Sequence, residues 1–373
     1  MSLSHEISKC ITNGHININQ EHWNLLNEKY DKEDIKECLS NEILSGNILL
    51  PLKILTYKDA EDSFKNLLSY KCNDIKEGNL VTRYDYSFDN IGYGRYIDES
   101  NVGNVASDFF QQHNRYMCGS INSPSPVRTW SNKKFLNGLL NSIWTLKCKS
   151  VDDTTLRTCL ALRKYVASQF KPSVAKSIYE KLNSVDIMDF SAGWGDRLCG
   201  FYACENTKSY IGIDPNTSVF NKYYEQVEFY SNYAQNKSTR FINSPAEDII
   251  DIPKEIVDTV FTSPPYFNIE KYTNNSNQSY IRYRKLDDWL SKFLFKAIDL
   301  SVNALRENGY LAINISDVYS NHQVNHICDP MNYYIKNLGL HYEGVIGMKM
   351  AKRPNSNAAK DGIFIEPIWL WRK

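Results

Sequence analysis

From Pro172 onward the chain alternates short apolar runs with longer amphipathic stretches, and this alternation constrains the fold more than any other feature. "VDIMDF", "SYIGID", "TRFINSP", "VDTVFTSPPY" and "YLAINIS" read as strands. "GDRLCGFYACE", "PNTSVFNKYYEQVEFYSNYA" and "LDDWLSKFLFKAIDLSVNAL" read as the helices between them. "KPSVAKSIYEKL" is a further helix, with Pro172 in its first turn, where the missing N–H is not needed. Successive βα units predict a mostly parallel sheet with helices on both faces. Two more strands, "HYEGVIGMKM" and "GIFIEPIWLWRK", are joined by a polar loop and fit an antiparallel pair. The expected class is α/β: a seven-stranded, mostly parallel sheet with an antiparallel last strand.

The preceding residues carry mixed signals. "NQEHWNLLNEKYDKEDIKECLSNEI" and "YKDAEDSFKNLLSY" have helical apolar spacing. Between Asn73 and Ser125 the text turns polar, aromatic and glycine-containing ("TRYDYSFDNIGYGRYIDESNVGN"), which predicts loop and irregular strand. "SINSPSPVRTW" reads as an extended connector. A boundary is therefore expected near it. Residues 1–125 would form a mixed helical and irregular extension, a recognition or partner region. Residues 126–373 would form the main domain, with "NKKFLNGLLNSIWTL" and "DDTTLRTCLALRKYVASQF" as its first helices.

Lys plus Arg and Asp plus Glu balance at 43 each, so a nucleic-acid partner would have to be met by local basic patches. Nine scattered cysteines without a C-x-x-C pair, and seven histidines without metal spacing, predict reduced thiols and no metal. "MSLSHEISKC" lacks a signal-peptide pattern, and no apolar run is long enough to cross a bilayer. The expected setting is cytoplasmic, in a bacterium or a virus-infected host cell, with no membrane partner.

The turn "MDFSAGWGDRL" follows the first strand of the alternating region and opens a helix. Gly193 and Gly195 there let the backbone approach a ligand closely. Asp214 ends the next strand, about 20 positions on, where an acidic side chain can accept ribose hydroxyls. The third glycine usual in dinucleotide sites is missing, which favours a nucleoside without a pyrophosphate. "NSPAEDI" ends the following strand, where an adenine ring could rest. The fourth strand ends in "TSPPY", residues 262–266. Two prolines fix φ and hold the carbonyl between them in place.

These motifs, from about Phe170 to Lys373, resemble the S-adenosylmethionine-dependent DNA amino-methyltransferases. "DFSAGWG" resembles their methionine-side loop, "IGIDPN" their ribose-binding strand end, and "TSPPY" their catalytic [D/N/S]-P-P-[Y/F/W] motif. "FKPSVAKSIYEKL" resembles the helix before the glycine loop in one subgroup. The resemblance implies a Rossmann-like domain with S-adenosylmethionine as cofactor. It implies a cofactor site at Asp189, Phe190, Ala192, Gly193, Gly195, Asp214, Pro215, Asn216, Ala246 and Glu247. It implies catalysis by Ser263, Pro264, Pro265 and Tyr266. The Ser263 hydroxyl and a Pro264 carbonyl would accept the N–H groups of an exocyclic base amine, and Tyr266 would stack a base rotated out of the helix. In the family it resembles, Ser at this position favours cytosine N4 and Asp adenine N6, so the resemblance implies cytosine N4; no Pro-Cys pair is present for C5 chemistry.

The partner expected is DNA, with RNA as the alternative polymer. No recognition domain fits between Asp214 and Ser263. Target contact is therefore expected from the N-terminal third, from the loop after Tyr266 (Lys271, Arg282, Arg284) and from the segment holding Lys352 and Arg353. Asp317, after "LAINIS", is either a crevice residue or a helix cap. The rival from another class is a nucleic-acid-binding protein with an inactive cofactor pocket.

Overall fold

The alternating segments assemble into one large sheet in the computed structural model, which describes residues 2–72, 75–98, 100–163, 166–351 and 361–373. In chain order its strands are β1 (Ile75–Val81), β2 (Tyr93–Ile97), β3 (Asp186–Asp189), β4 (Ser209–Ile213), β5 (Ser238–Ile242), β6 (Val257–Thr262), β7 (Leu305–Asn314), β8 (His341–Lys349) and β9 (Ile363–Arg372). Strands β5, β4, β3, β6 and β7 lie side by side and run parallel. Strand β9 is antiparallel to β7 and pairs antiparallel with β8.

This sheet has nine strands among the described residues, not the seven expected. The extra pair is the antiparallel hairpin β1–β2, with β2 parallel beside β8 and β1 parallel beside β9. It comes from the polar, aromatic stretch read as irregular. Its aromatic rings are used for packing: Tyr86 meets Trp369 edge-on at 5.1 Å, and Phe88 tilts against Trp371 at 5.5 Å. Ser87 and Phe88 donate their backbone N–H groups to Asp329. Polar anchors, among them Asp329 and the Tyr342 hydroxyl on Asp89, together with packed rings turn a sequence without strand periodicity into part of the sheet.

Starting at β3, the chain builds outward through β4 to β5, then returns to the other side of β3 with β6 and β7. Strand order therefore reverses between β3 and β6. In open parallel sheets the carboxyl ends at such a reversal border a crevice. Five helices accompany these strands: α1 (Pro172–Lys181), α2 (Asp196–Ala203), α3 (Thr217–Ser231), α4 (Phe295–Ala304) and α5 (Cys328–Asn337). Met188, Val260, Leu311, Ile313, Trp289, Ile298 and Trp369 fill the core they share with the sheet. Each such side chain contributes roughly 1.5–3 kcal/mol by leaving water.

The chain divides into two units that interleave in sequence, rather than at one boundary near residue 125. The sheet belongs to Leu55–Gln111, Gln169–Ile269 and Thr273–Lys373; the other unit comprises Met1–Ile54, Gln112–Ser168 and Glu270–Tyr272. The reason is shared burial. Leu136, Leu139, Leu140, Ile143 and Leu156 form one core with Trp23, Ile35, Leu39 and Ile43. The helices expected to open the main domain thus complete the smaller unit. No helix among the described residues is long and apolar enough to cross a membrane.

Candidate functional site

The loop from Ser191 to Gly195 joins β3 to α2 and is fastened from three sides. Gly195 caps α2 at φ +76°, and a Cβ there would lie 2.3 Å from the Gln226 Oε1, so only glycine fits. From α3, the Tyr223 hydroxyl donates to the Gly193 carbonyl at 2.6 Å, and the Gln226 Nε2 donates to the Trp194 carbonyl at 3.2 Å. From the end of β4, Asp214 accepts the Gly193 N–H at 2.9 Å on one oxygen and the Asn216 N–H at 2.8 Å on the other. Ala192 donates its N–H to the Ile213 carbonyl at 3.0 Å. Burial pushes the Asp214 carboxyl up from 3.8 to about 6, against the pull of those two backbone N–H groups.

Asp189, expected at the methionine end of a cofactor, is instead the buried anchor of this loop. It is fully buried and accepts from Arg197 Nε at 2.7 Å, Arg197 Nη2 at 3.3 Å, the Tyr210 hydroxyl at 2.8 Å and the Ser191 N–H at 3.2 Å. Four donors saturate the carboxylate. Arg197 also donates to the Ser191 carbonyl, and its guanidinium lies 5.1 Å from the centre of the Phe170 ring. Burial alone would lower the Arg197 pKa, but the Asp189 charge more than offsets it and holds the guanidinium ionised. Phe190, expected beside the cofactor, is 1% exposed and packs in the core beneath the sheet.

Across the reversal, β6 runs into Ser263-Pro264-Pro265-Tyr266. The Ser263 hydroxyl donates to the Asn314 Oδ1 at 3.3 Å, and the Tyr266 hydroxyl donates to the same oxygen at 3.4 Å. Asn314 is the last residue of β7, adjacent to β6 through the Thr262–Ile313 pair, and is 1% exposed. Phe267 leaves the turn at φ +50°, an uncommon conformation for a bulky residue. It is held there by its N–H on the Pro265 carbonyl at 2.9 Å and by its buried ring, 5.9 Å from Trp289. The turn is thus fixed at both ends.

Gly193, Asp214, Ser263 and Asn314 therefore stand at the carboxyl ends of β3, β4, β6 and β7 in one sheet. The remaining expectations are mixed. Pro215 is half-buried beside Asn216, which is buried and caps α3 by accepting the Ser218 N–H at 3.2 Å. Ala246 is buried and opens a short 3-10 turn ending at Asp248. Glu247 and Asp248 are held by Arg282, which reaches both carboxylates at 2.8 Å. Burial raises the Glu247 pKa, which the Arg282 charge partly opposes. Arg282, expected on nucleic acid, is exposed and ion-paired to these two carboxylates. Arg284 is exposed. Lys271 is exposed in the smaller unit, on a two-residue ladder with Gly119. Lys352 and Arg353 lie outside the described residues. Asp317 proves to be a helix cap: it accepts the Ile327 and Cys328 N–H groups at 2.8 and 2.9 Å and pairs with His326. No cluster of metal-ligating side chains occurs among the described residues.

Sequence reasoning missed Arg197, Tyr223, Gln226 and Asn314. Only Asn314 carried a signal, as a polar residue inside the apolar run "YLAINIS".

No protein-family model matches the chain, and no curated protein does. Among solved structures, the chain is similar to a SAM-dependent methyltransferase from Aquifex aeolicus, at 14% identity over 55% of this chain and 98% of that one, with a TM-score of 0.33. It is similar to an rRNA methylase from Streptococcus thermophilus, at 14% identity over 56% and 99%, with a TM-score of 0.34. It also matches the cyclase SpnF, at 10% identity and a TM-score of 0.35, over 48% of this chain but only 60% of that protein. Likenesses this remote assign neither substrate nor activity.

Proposed function

We propose that this chain is an S-adenosylmethionine-dependent methyltransferase acting on an exocyclic base amine in DNA, with cytosine N4 as the target. The observation that carries the reading is the Ser263-Pro264-Pro265-Tyr266 turn. Its two hydroxyls are tied to one buried amide, at a strand end facing the Gly193–Asp214 loop across the reversal of the sheet. The resemblance of "DFSAGWG", "IGIDPN" and "TSPPY" to the DNA amino-methyltransferases supports the same assignment.

The residues fit such a cofactor. A Cβ built on Gly193 would meet nothing closer than 3.7 Å, so the backbone there is open to a ligand. Each Asp214 oxygen carries one backbone hydrogen bond and keeps a lone pair for a ribose hydroxyl. The cofactor, when bound, supplies a methyl group on a sulfonium. The chain's part is positional. Ser263 Oγ and the Pro264 carbonyl accept the two N–H groups of the amine and favour a pyramidal nitrogen with its lone pair exposed. The Tyr266 ring provides a face for the base. Direct displacement needs no covalent enzyme intermediate, and preorganisation carries the catalysis. Adenine N6, or RNA as the polymer, is served by the same geometry. An inactive binding module would not need the fastened loop.

The test is nucleoside mass spectrometry after incubation with labelled S-adenosylmethionine and duplex DNA, single-stranded DNA or RNA. Label in N4-methylcytosine from DNA is expected. Label in N6-methyladenine would overturn the base, label from RNA alone the polymer, and no label anywhere the activity. The Ser263→Ala variant should lose about 10²–10³ in turnover, as for loss of one aligned hydrogen-bonding group, with cofactor affinity unchanged by calorimetry.

A further inference from the structure

A serine or tyrosine hydroxyl can give or take a hydrogen bond, so by itself it does not distinguish an amine from a carbonyl. In this site the choice is made by a third residue. The Asn314 amide is buried, and its Nδ2 lies 3.1 Å from the Pro367 carbonyl on β9. A carbonyl can only accept, so the NH₂ end of the amide must face Pro367. The Oδ1 end therefore faces Ser263 and Tyr266, and an amide oxygen can only accept. Both hydroxyls must then point their protons at Asn314. Their lone pairs are left facing away from it.

We infer that Asn314 is a positioning residue that turns Ser263 into an obligate acceptor, so that the site selects bases carrying an exocyclic amine over those carrying a carbonyl at the same ring position. The inference rests on the proposed base-amine reading and extends it from geometry to selectivity. A carbonyl presented to Ser263 would set oxygen against oxygen, unless the hydroxyl abandoned Asn314 and left a buried amide oxygen unpaired. Either outcome is unfavourable. The polarising chain is short: the Pro367 carbonyl, the Asn314 amide, the Ser263 hydroxyl, then the amine. Each link has one allowed direction because the first is a carbonyl. Tyr266, tied to the same oxygen, has its ring orientation set by the same residue.

The test compares two isosteric pairs, cytidine against uridine and adenosine against inosine. Each pair replaces the amine by a carbonyl and turns the adjacent ring nitrogen from acceptor to N–H donor; the second change is common to wild type and variants, so the comparison between them isolates the hydroxyl. Binding would be followed by ligand-observed NMR on the whole chain, with S-adenosylhomocysteine saturating the cofactor site. The wild type should prefer the amine member of at least one pair by roughly tenfold or more, the scale set by one mismatched buried hydrogen bond. The Asn314→Leu variant removes the amide at similar volume and should bring the preference within about twofold, because Ser263 is then free to rotate. Melting temperature and S-adenosylhomocysteine affinity serve as controls for structure. The Ser263→Ala variant, at a half-buried position, should level the preference too, and Asn314→Ala takes the place of Asn314→Leu if the latter does not fold. A wild type without preference, or a preference surviving in the folded Asn314 variant, overturns the inference. Methyl transfer assayed in parallel separates the two claims. Transfer by the wild type with the preference intact in the Asn314→Leu variant removes only the role of Asn314. Absence of transfer removes the proposed activity, while the nucleoside pairs still decide the hydroxyl direction.

Discussion

Asp214 offers the sharpest test of the candidate site, because its carboxylate is retained at a cost to the fold. It is 9% exposed, and burial raises its carboxyl from 3.8 to about 6. The neighbouring Asp189 charge adds to the rise, while the Gly193 and Asn216 N–H groups and Arg197 oppose it. The sign follows from proton binding. Between about pH 4 and pH 6 the folded chain holds a proton here that the unfolded chain has lost, so stability falls as pH rises through that window. The displacement corresponds to about 3 kcal/mol, complete once pH passes the folded value. The Asp214→Asn variant cannot titrate. Replacing one oxygen by NH₂ also sets a donor against a backbone N–H, but that penalty does not depend on pH and cancels in the comparison. Urea unfolding of both proteins between about pH 4.5 and pH 7.5 should therefore show the wild type losing about 2 kcal/mol relative to the variant as pH rises, the rest of the displacement lying below that window. Ribose hydroxyls donating to the ionised carboxylate would relieve part of this cost. S-Adenosylhomocysteine affinity should accordingly climb with pH up to about 6 in the wild type and stay flat and weaker in the variant. Parallel stability curves for the two proteins would refute the burial argument. A pH-dependent stability difference with identical ligand affinities would refute the ribose assignment alone.

Four further outcomes follow from the structure. Gly195→Ala should cost more than about 2 kcal/mol in denaturant unfolding, because it adds a Cβ collision with buried Gln226 to the strain of positive φ. Gly46→Ala, at φ +84° with open space around it, should cost only about 1 kcal/mol. Arg197→Met should destabilise by roughly 3–5 kcal/mol, since it strands the fully buried Asp189 charge, and a second change of Asp189→Leu should recover much of that loss. Arg282→Ala should leave nucleic-acid affinity within about threefold in fluorescence anisotropy, because the guanidinium is already held by Glu247 and Asp248.

Much of this fold was legible because periodicity reports burial. Strands β3 to β7 and the helices between them alternate between short apolar-centred runs and longer runs apolar on one face. That pattern admits few arrangements other than a covered parallel sheet. The hairpin β1–β2 was not legible for the complementary reason. Its connecting stretch has no period, and its rings are buried by single contacts such as Tyr86 on Trp369. The unit boundary failed on a similar point. The helices at Lys133–Thr145 and Asp153–Leu162 have clear apolar faces, but an apolar face does not state which partner covers it.

The candidate site divides along the same line. Gly193, Gly195, Asp214 and Ser263 could be read from text because each is bound to a local demand: a turn that excludes Cβ, a strand end, a rigid Pro-Pro step. Asp189 was harder to read, because a carboxylate beside a glycine loop satisfies either a ligand or a buried cation, and here the cation is Arg197, the second residue of α2. Asn314 was passed over for Asp317, although the charge at 317 only caps α5 and the neutral amide at 314 touches both hydroxyls of the turn. The difference is one of register. Asn314 is level with Ile368 on β9 and follows Ile313, which pairs with Thr262, so its side chain stands beside the residue that opens the turn. Position along a strand relative to its neighbours, not residue chemistry, decides which polar group reaches a site, and only pairing across the sheet supplies that information.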